Sequence, residues 1–145
     1  MKYHFLIHKE GRGYWGECIE LPGCSTQGDS MAELEKNMAE ALNLYLDEEG
    51  GTGVEFRLPL KRAPSRKGRI CQVRVAPRVA LAVQLRYIRK QRGLTQKQIA
   101  AMLGLKGLYS YQRLESAKTA NPEWDTVVQL KRVFPELDLD ELAAA

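Results

Sequence analysis

Leu94-Thr95-Gln96-Lys97-Gln98-Ile99-Ala100-Ala101-Met102-Leu103-Gly104-Leu105 carries the strongest structural signal in this 145-residue chain. Thr95 is a good helix cap ahead of a short periodic run, and Gly104 stands where a turn must end that helix. A second helix is expected from Leu108 to Glu115. Ala100 is small where the two helices would cross, and Ile99, Leu103, Leu105, Tyr111 and Leu114 fall where apolar groups pin both to a core. Together these residues predict a helix-turn-helix. Upstream, Ala76-Pro77 opens a helix whose apolar residues are Val79, Ala80, Val83, Leu85, Tyr87 and Ile88, closed by Arg89-Lys90-Gln91-Arg92-Gly93. Downstream, Asn121-Pro122 is expected to start another, with Trp124, Val127, Val128, Leu130, Val133 and Phe134 packing beneath the motif.

Leu94-Thr95-Gln96, Ala100, Leu103-Gly104 and Arg113-Leu114-Glu115 resemble the lambda-repressor and Cro-like helix-turn-helix family over about residues 82 to 134. Alignment with it implies that on the second helix Tyr109, Ser110, Gln112 and Arg113 point outward while Tyr111 and Leu114 point inward. Gln and Arg make bidentate contacts to adenine and guanine edges, so Gln112, Arg113 and Gln96 are candidate base readers. Thr95, Lys97 and Lys106 are candidate phosphate holders. The turn Leu105-Lys106-Gly107-Leu108 is one residue longer than the usual family spacing.

The rest of the chain bounds the setting. A hydrophobic content of 44% supports either one domain or two small ones. No run approaches the roughly 18 apolar residues of a membrane span, and Met1-Lys2-Tyr3-His4 does not begin a signal peptide, so a cytoplasmic protein with no membrane partner is expected. Cys18, Cys24 and Cys71 form no Cys-x-x-Cys pair and are expected to be reduced, buried thiols rather than zinc ligands or disulfides. Charge divides the chain: residues 1–60 hold 5 Lys and Arg against 11 Asp and Glu, and residues 61–145 hold 17 against 7. The basic half suits nucleic acid, whose phosphates reward neutralisation by releasing counterions, and the acidic half suits a different partner.

In that first half, Lys2 to Lys9 alternates with Tyr3, Phe5 and Ile7 on one side, and Gly11-Arg12-Gly13 turns it into the strand Tyr14 to Ile19. Leu21-Pro22-Gly23 breaks that strand, and Cys24 to Gly28 reads as a short edge strand. Ser30 with Glu33 forms a capping box for a helix from Met31 to about Glu48, whose apolar face is Leu34, Met38, Ala41, Leu42, Tyr45 and Leu46. Gly50-Gly51-Thr52-Gly53 is expected to end it, Leu58 to Gly68 to form an exposed loop, and Arg69 to Val75 to return as a fourth strand. The fold class is α+β: a β-β-β-α-β domain over residues 1–75, then an all-α helix-turn-helix domain over residues 76–145.

Tyr14-Trp15-Gly16-Glu17 and Leu21-Pro22-Gly23-Cys24-Ser25-Thr26-Gln27-Gly28-Asp29-Ser30, leading into Glu33 and Ala41-Leu42, are similar to the HicB antitoxin family. Tyr111-Gln112-Arg113-Leu114-Glu115, Asn121-Pro122 and Phe134-Pro135-Glu136-Leu137-Asp138 also resemble its helix-turn-helix members. The resemblance implies a degenerate ribonuclease H-like domain joined to a DNA-binding segment, in an antitoxin that masks a HicA-type RNA-cleaving toxin and represses the shared operon. Tyr14, Trp15, Glu17, Glu20 and Asp29 are then candidate toxin-binding residues. No enzyme is expected. Ribonuclease H chemistry needs carboxylates converging on two metals, including one in the middle of the first strand, where this chain has His4, Phe5, Leu6 and Ile7. His4 and His8, four apart in a strand, stand about 13 Å apart, too far to share a metal. No cofactor is expected, and a single short recognition helix buries too little to be specific alone, so a homodimer or tetramer on double-stranded operator DNA is. The alternative is a stand-alone transcriptional regulator whose N-terminal domain dimerises or senses a ligand.

Overall fold

The computed structural model describes residues 1–47 and 57–143. The chain forms two compact units that divide between Ala76 and Pro77. The first holds strands β1 (Lys2–Glu10), β2 (Gly13–Cys18) and β3 (Ser25–Gly28), helix α1 (Met31–Asp47) and strand β4 (Arg69–Arg74). The second holds α2 (Pro77–Gln91), α3 (Gln96–Met102), α4 (Leu108–Glu115), α5 (Trp124–Val133) and α6 (Leu139–Ala143). The predicted end of the first helix at Glu48 and its glycine stop lie outside the described residues.

The sheet is antiparallel throughout, in the order β3-β2-β1-β4. Side chains alternate across a strand, so Tyr3, Phe5 and Ile7 share one face of β1. That face lies under α1, which buries Leu34, Met38, Leu42 and Leu46 at helical spacing. The helix starts as its capping box requires, with the Glu33 amide donating to Ser30 Oγ (3.1 Å) and the Asp29 amide to the Glu33 carboxylate (2.8 Å). At two glycines of the sheet α1 leaves no room for a side chain. A Cβ on Gly16 would meet Met38 Sδ at 2.8 Å, and one on Gly28 would meet the backbone nitrogen of Leu34 at 2.6 Å. On the other face of β1, His4 and Leu6 are buried as well.

In the second unit Leu81, Leu85 and Ile88 of α2 meet Ile99, Ala100, Leu103, Tyr111, Leu114, Leu130, Phe134 and Leu137 in one core. Gln84 fastens the far end: its side chain donates to the Asp138 carbonyl (3.0 Å) and accepts from the Asp138 amide (2.8 Å). On the surface Arg92 grips the Glu136 carboxylate with two nitrogens (2.7 and 2.8 Å), caps the Val133 carbonyl and lies over the Phe134 ring.

Three expectations are corrected. Helix α5 begins at Trp124 with Glu123 as its cap, not at Asn121-Pro122. Trp124 is 73% exposed and is no part of the packing surface, which α5 builds from Leu130 and the partly buried Val133, with Phe134 just beyond them. The charge division near residue 60 falls inside the first unit and not at its end: through Ala76 that unit has 11 Lys and Arg against 11 Asp and Glu, and the remainder 11 against 7. The first unit is therefore net neutral and internally polarised, not acidic.

The two tight glycines make a paired prediction. Gly28→Ala drives a methyl into the α1 backbone and is expected to destabilise the chain by about 1–3 kcal/mol, whereas Gly16→Ala meets only the flexible end of Met38 and costs less. Urea denaturation followed by circular dichroism checks the order of the two.

Candidate nucleic-acid interface

The helix-turn-helix is built by two helix ends of the same design. At the end of α2 the Gly93 amide donates to the Lys90 carbonyl (3.1 Å) and the Leu94 amide to the Arg89 carbonyl (3.0 Å). At the end of α3 the Gly104 amide donates to the Ala101 carbonyl (3.0 Å) and the Leu105 amide to the Ala100 carbonyl (3.0 Å). Both patterns need a left-handed residue at the reversal, and Gly93 (φ 63°) and Gly104 (φ 64°) supply it without a Cβ penalty. Between them α3 is capped by a full box: the Gln98 amide donates to Thr95 Oγ1 (3.1 Å) and the Thr95 amide to Gln98 Oε1 (2.8 Å).

One carboxylate ties the three helices together. Glu115, 4% exposed, accepts from Arg89 Nε (2.6 Å) and the Tyr111 hydroxyl (2.7 Å) at Oε1, and from Gln96 Nε2 (2.8 Å) and Arg89 Nη2 (3.2 Å) at Oε2. A buried carboxylate costs several kcal/mol unless paired and fully hydrogen-bonded, and here α2, α3 and α4 each contribute a donor. Burial and then the Glu115 charge push the Tyr111 hydroxyl well above the ordinary tyrosine range near 10. Sequence reasoning treats Glu115 only as a helix end. The signal that finds it is its spacing four residues after Tyr111, which puts both on the inward face of α4.

The candidate base readers are then placed by this hub. Tyr109, Ser110, Gln112 and Arg113 are exposed along the outer side of α4, with Tyr111 and Leu114 buried on its inner side. Gln96 is half-buried, and its carbonyl oxygen accepts from Gln112 Nε2 (3.3 Å) while its amide serves Glu115. Gln96 thus links Gln112 on the outer side of α4 to the buried Glu115. Lys97 and Lys106 are exposed near the two ends of the α3 segment, and Thr95 is exposed with its hydroxyl already accepting from Gln98. The turn from Leu103 to Gly107 ends with Gly107 capping α4 by backbone alone, with no side-chain hydrogen bond.

The structure separates the five candidate toxin-binding residues. Trp15 and Glu17 share the sheet face opposite α1, where His8 stacks on Trp15 (centroids 3.9 Å apart, 13° between planes) and its Nε2 lies 3.2 Å from Glu17 Oε1. Tyr14, next to Trp15 on the strand, lies on the face toward α1. Asp29 is exposed at the turn into α1. Glu20 is a correction: it is buried at 5% exposure and offers no surface charge. Its carboxylate accepts from the His4 amide (3.0 Å) and the Leu60 amide (3.3 Å) and pairs with His4 Nδ1 (2.6 Å). Gln72 Nε2 lies 3.3 Å from His4 Nε2 on the other side of the ring, so both ring nitrogens have a polar partner. Cys18, 3.7 Å from Glu20 Oε2, is free and buried, as is Cys24; hydrogen bonding to Cys24, then burial, push the Cys18 thiol far up. Cys71 is free but only half-buried.

This geometry defines a helix-turn-helix protein of the DNA-binding regulator class, and the helix-turn-helix family HTH_3 matches residues 85–142. The chain belongs to the UPF0150 family. It is 42% identical over 48 residues to a UPF0150 protein of Archaeoglobus fulgidus, a match covering 32% of this chain and 70% of that one. Two UPF0150 proteins of Synechocystis sp. are 38% identical over 39 residues and 41% identical over 46 residues, with 54% and 58% of their lengths covered. Among the described residues no helix is long and apolar enough to cross a membrane.

Two outcomes test the hub. Glu115→Ala strands Arg89 with its counter-charge gone and is expected to cost about 3 kcal/mol or more, read as a drop in thermal midpoint. The raised Tyr111 pKa means the folded state holds that proton more tightly than the unfolded one, so its contribution to stability is complete below about pH 10 and is lost as pH rises beyond. Thermal melts across the alkaline range are expected to show a shallower decline for Tyr111→Phe than for the wild type.

Proposed function

We propose that this chain is the antitoxin of a type II toxin–antitoxin pair. Its N-terminal unit binds and neutralises a HicA-type RNA-cleaving toxin, and its helix-turn-helix represses the operon encoding both. The observation that carries the reading is the union, in one chain, of an outward row of Tyr109, Ser110, Gln112 and Arg113 with a separate α+β unit whose sheet face presents His8, Trp15 and Glu17. The similarity of Tyr14 to Ser30 to the HicB family supports the same assignment, and it implies a degenerate ribonuclease H-like core without catalysis.

In this proposal the two activities use different surfaces. Gln112 and Arg113 contact base edges, Gln96 braces Gln112, and Thr95, Lys97 and Lys106 hold phosphates. Trp15 supplies buried area against the toxin while Glu17 and Asp29 steer a basic partner, Tyr14 contributing from the other side of the strand. A homodimer or tetramer brings two recognition helices to half-sites about 34–36 Å apart.

The test uses the full chain, the DNA upstream of its gene and the product of the neighbouring reading frame. Arg113→Ala and Gln112→Ala are each expected to weaken operator binding in gel shifts by about 1–3 kcal/mol and to leave rescue of toxin-inhibited growth intact. Trp15→Ala is expected to do the reverse. Operator affinity unchanged by either α4 substitution rejects the assignment of α4. If the neighbouring product neither arrests growth nor binds the chain, the stand-alone regulator replaces the antitoxin.

A further inference from the structure

Residues 57–69 read Arg-Leu-Pro-Leu-Lys-Arg-Ala-Pro-Ser-Arg-Lys-Gly-Arg, with no acidic residue. Lys61, Arg62, Arg66, Lys67 and Arg69 are all exposed, and among the described residues none of the five is in an ion pair. Their backbone is nevertheless held. The Tyr3 hydroxyl donates to the Arg57 carbonyl (2.9 Å), the Leu60 amide donates to buried Glu20, and Gly68 (φ 123°) lies so close to Leu6 that a Cβ there would stand 2.8 Å from Leu6 Cδ1. Pro59 and Pro64 stiffen the stretch between these anchors. A loop fastened to the core at both ends gives up less entropy on binding than a free tail, so its charges are presented ready for use.

The wider charge pattern names the partner. From Phe56 to Leu114 the chain contains no Asp or Glu, so the acid-free run begins before this loop and continues through β4, α2 and α3 almost to the end of α4. All 11 acids of the first unit precede it. A loop needed only for solubility gains nothing from such segregation, since interspersed charges solubilise equally well. The same polyanion that meets the helix-turn-helix is the one that rewards extending the run backwards.

We infer that loop 61–69 of the N-terminal unit is a second DNA contact, binding the phosphate backbone of the duplex on which the helix-turn-helix sits. The inference rests on DNA binding by the helix-turn-helix but not on the identity of the toxin. Nine residues lie between Lys67 and Pro77, a tether whose fully extended length is at most about 35 Å, or about one turn of duplex. The contact is sequence-independent and adds affinity and salt dependence rather than specificity.

The experiment measures binding of the full chain to a random-sequence duplex of about 30 base pairs, and to single-stranded RNA of the same length, by fluorescence anisotropy across a salt series. The variant K61Q/R62Q/R66Q/K67Q is expected to bind duplex about tenfold more weakly at moderate salt, with the slope of log affinity against log salt shallower by about 0.9 for each phosphate no longer neutralised. K9Q/R12Q/K36Q removes exposed cations from the same unit outside the loop and is expected to keep the wild-type slope. Equal losses in both variants, an unchanged slope in the first, or a loss confined to RNA overturns the inference. If Arg113→Ala binds its operator like the wild type while the loop variant loses duplex affinity, the assignment of α4 falls and the loop contact stands.

Discussion

A single buried carboxylate sets the geometry of the second unit. Glu115 is surrounded by donors from Arg89, Gln96 and Tyr111, one on each of α2, α3 and α4, and leaving any of them out exposes the others to the cost of an unsatisfied buried charge. Apolar packing alone holds helices together while tolerating small slides and rotations. A four-donor carboxylate does not, because each hydrogen bond weakens steeply with misalignment. The angle between α3 and α4 is fixed by that requirement, and with it the direction in which Gln112 and Arg113 leave the surface.

The N-terminal unit repeats the device. Glu20 closes the turn after β2 by taking the His4 amide and ring from β1 and the Leu60 amide from the loop. An acid that looks, by type, like a surface charge is thereby the joint between the sheet and the basic segment. In both units a fold of modest size gains a unique register from one saturated polar centre set into an apolar core.

Most of the architecture was legible because it is written in periodicity. Helix α4 runs from Leu108 to Glu115, α3 carries its Thr95 cap, and β1 to β4 follow the alternation of Tyr3, Phe5 and Ile7 and of Val73 and Val75. What the sequence concealed has a common cause: residue type does not report whether a charge is buried. Glu20 reads like Glu17 and Asp29, and only the tertiary arrangement of donors tells it apart, whereas Glu115 is marked by its spacing from Tyr111 alone. Trp124 failed in the opposite sense, a large apolar residue at the first turn of α5 that the core never reaches. The charge division failed because it was drawn at residue 60, ahead of the basic loop and β4, which together bring Lys61, Arg62, Arg66, Lys67, Arg69 and Arg74 into the first unit.

The outward side of α4 has a property distinct from anything it binds. Tyr109, Ser110 and Arg113 are exposed, whereas the residues that hold α4 in place, Tyr111, Leu114 and Glu115, face inward. Exposed helix positions accept most substitutions within about half a kcal/mol. Foldability is thus written in one set of positions of this eight-residue helix and leaves the outward set unconstrained. A lineage can rewrite the outward set without disturbing the inward one, so duplicated copies of such a gene are free to diverge in the surface they present while each remains a stable protein.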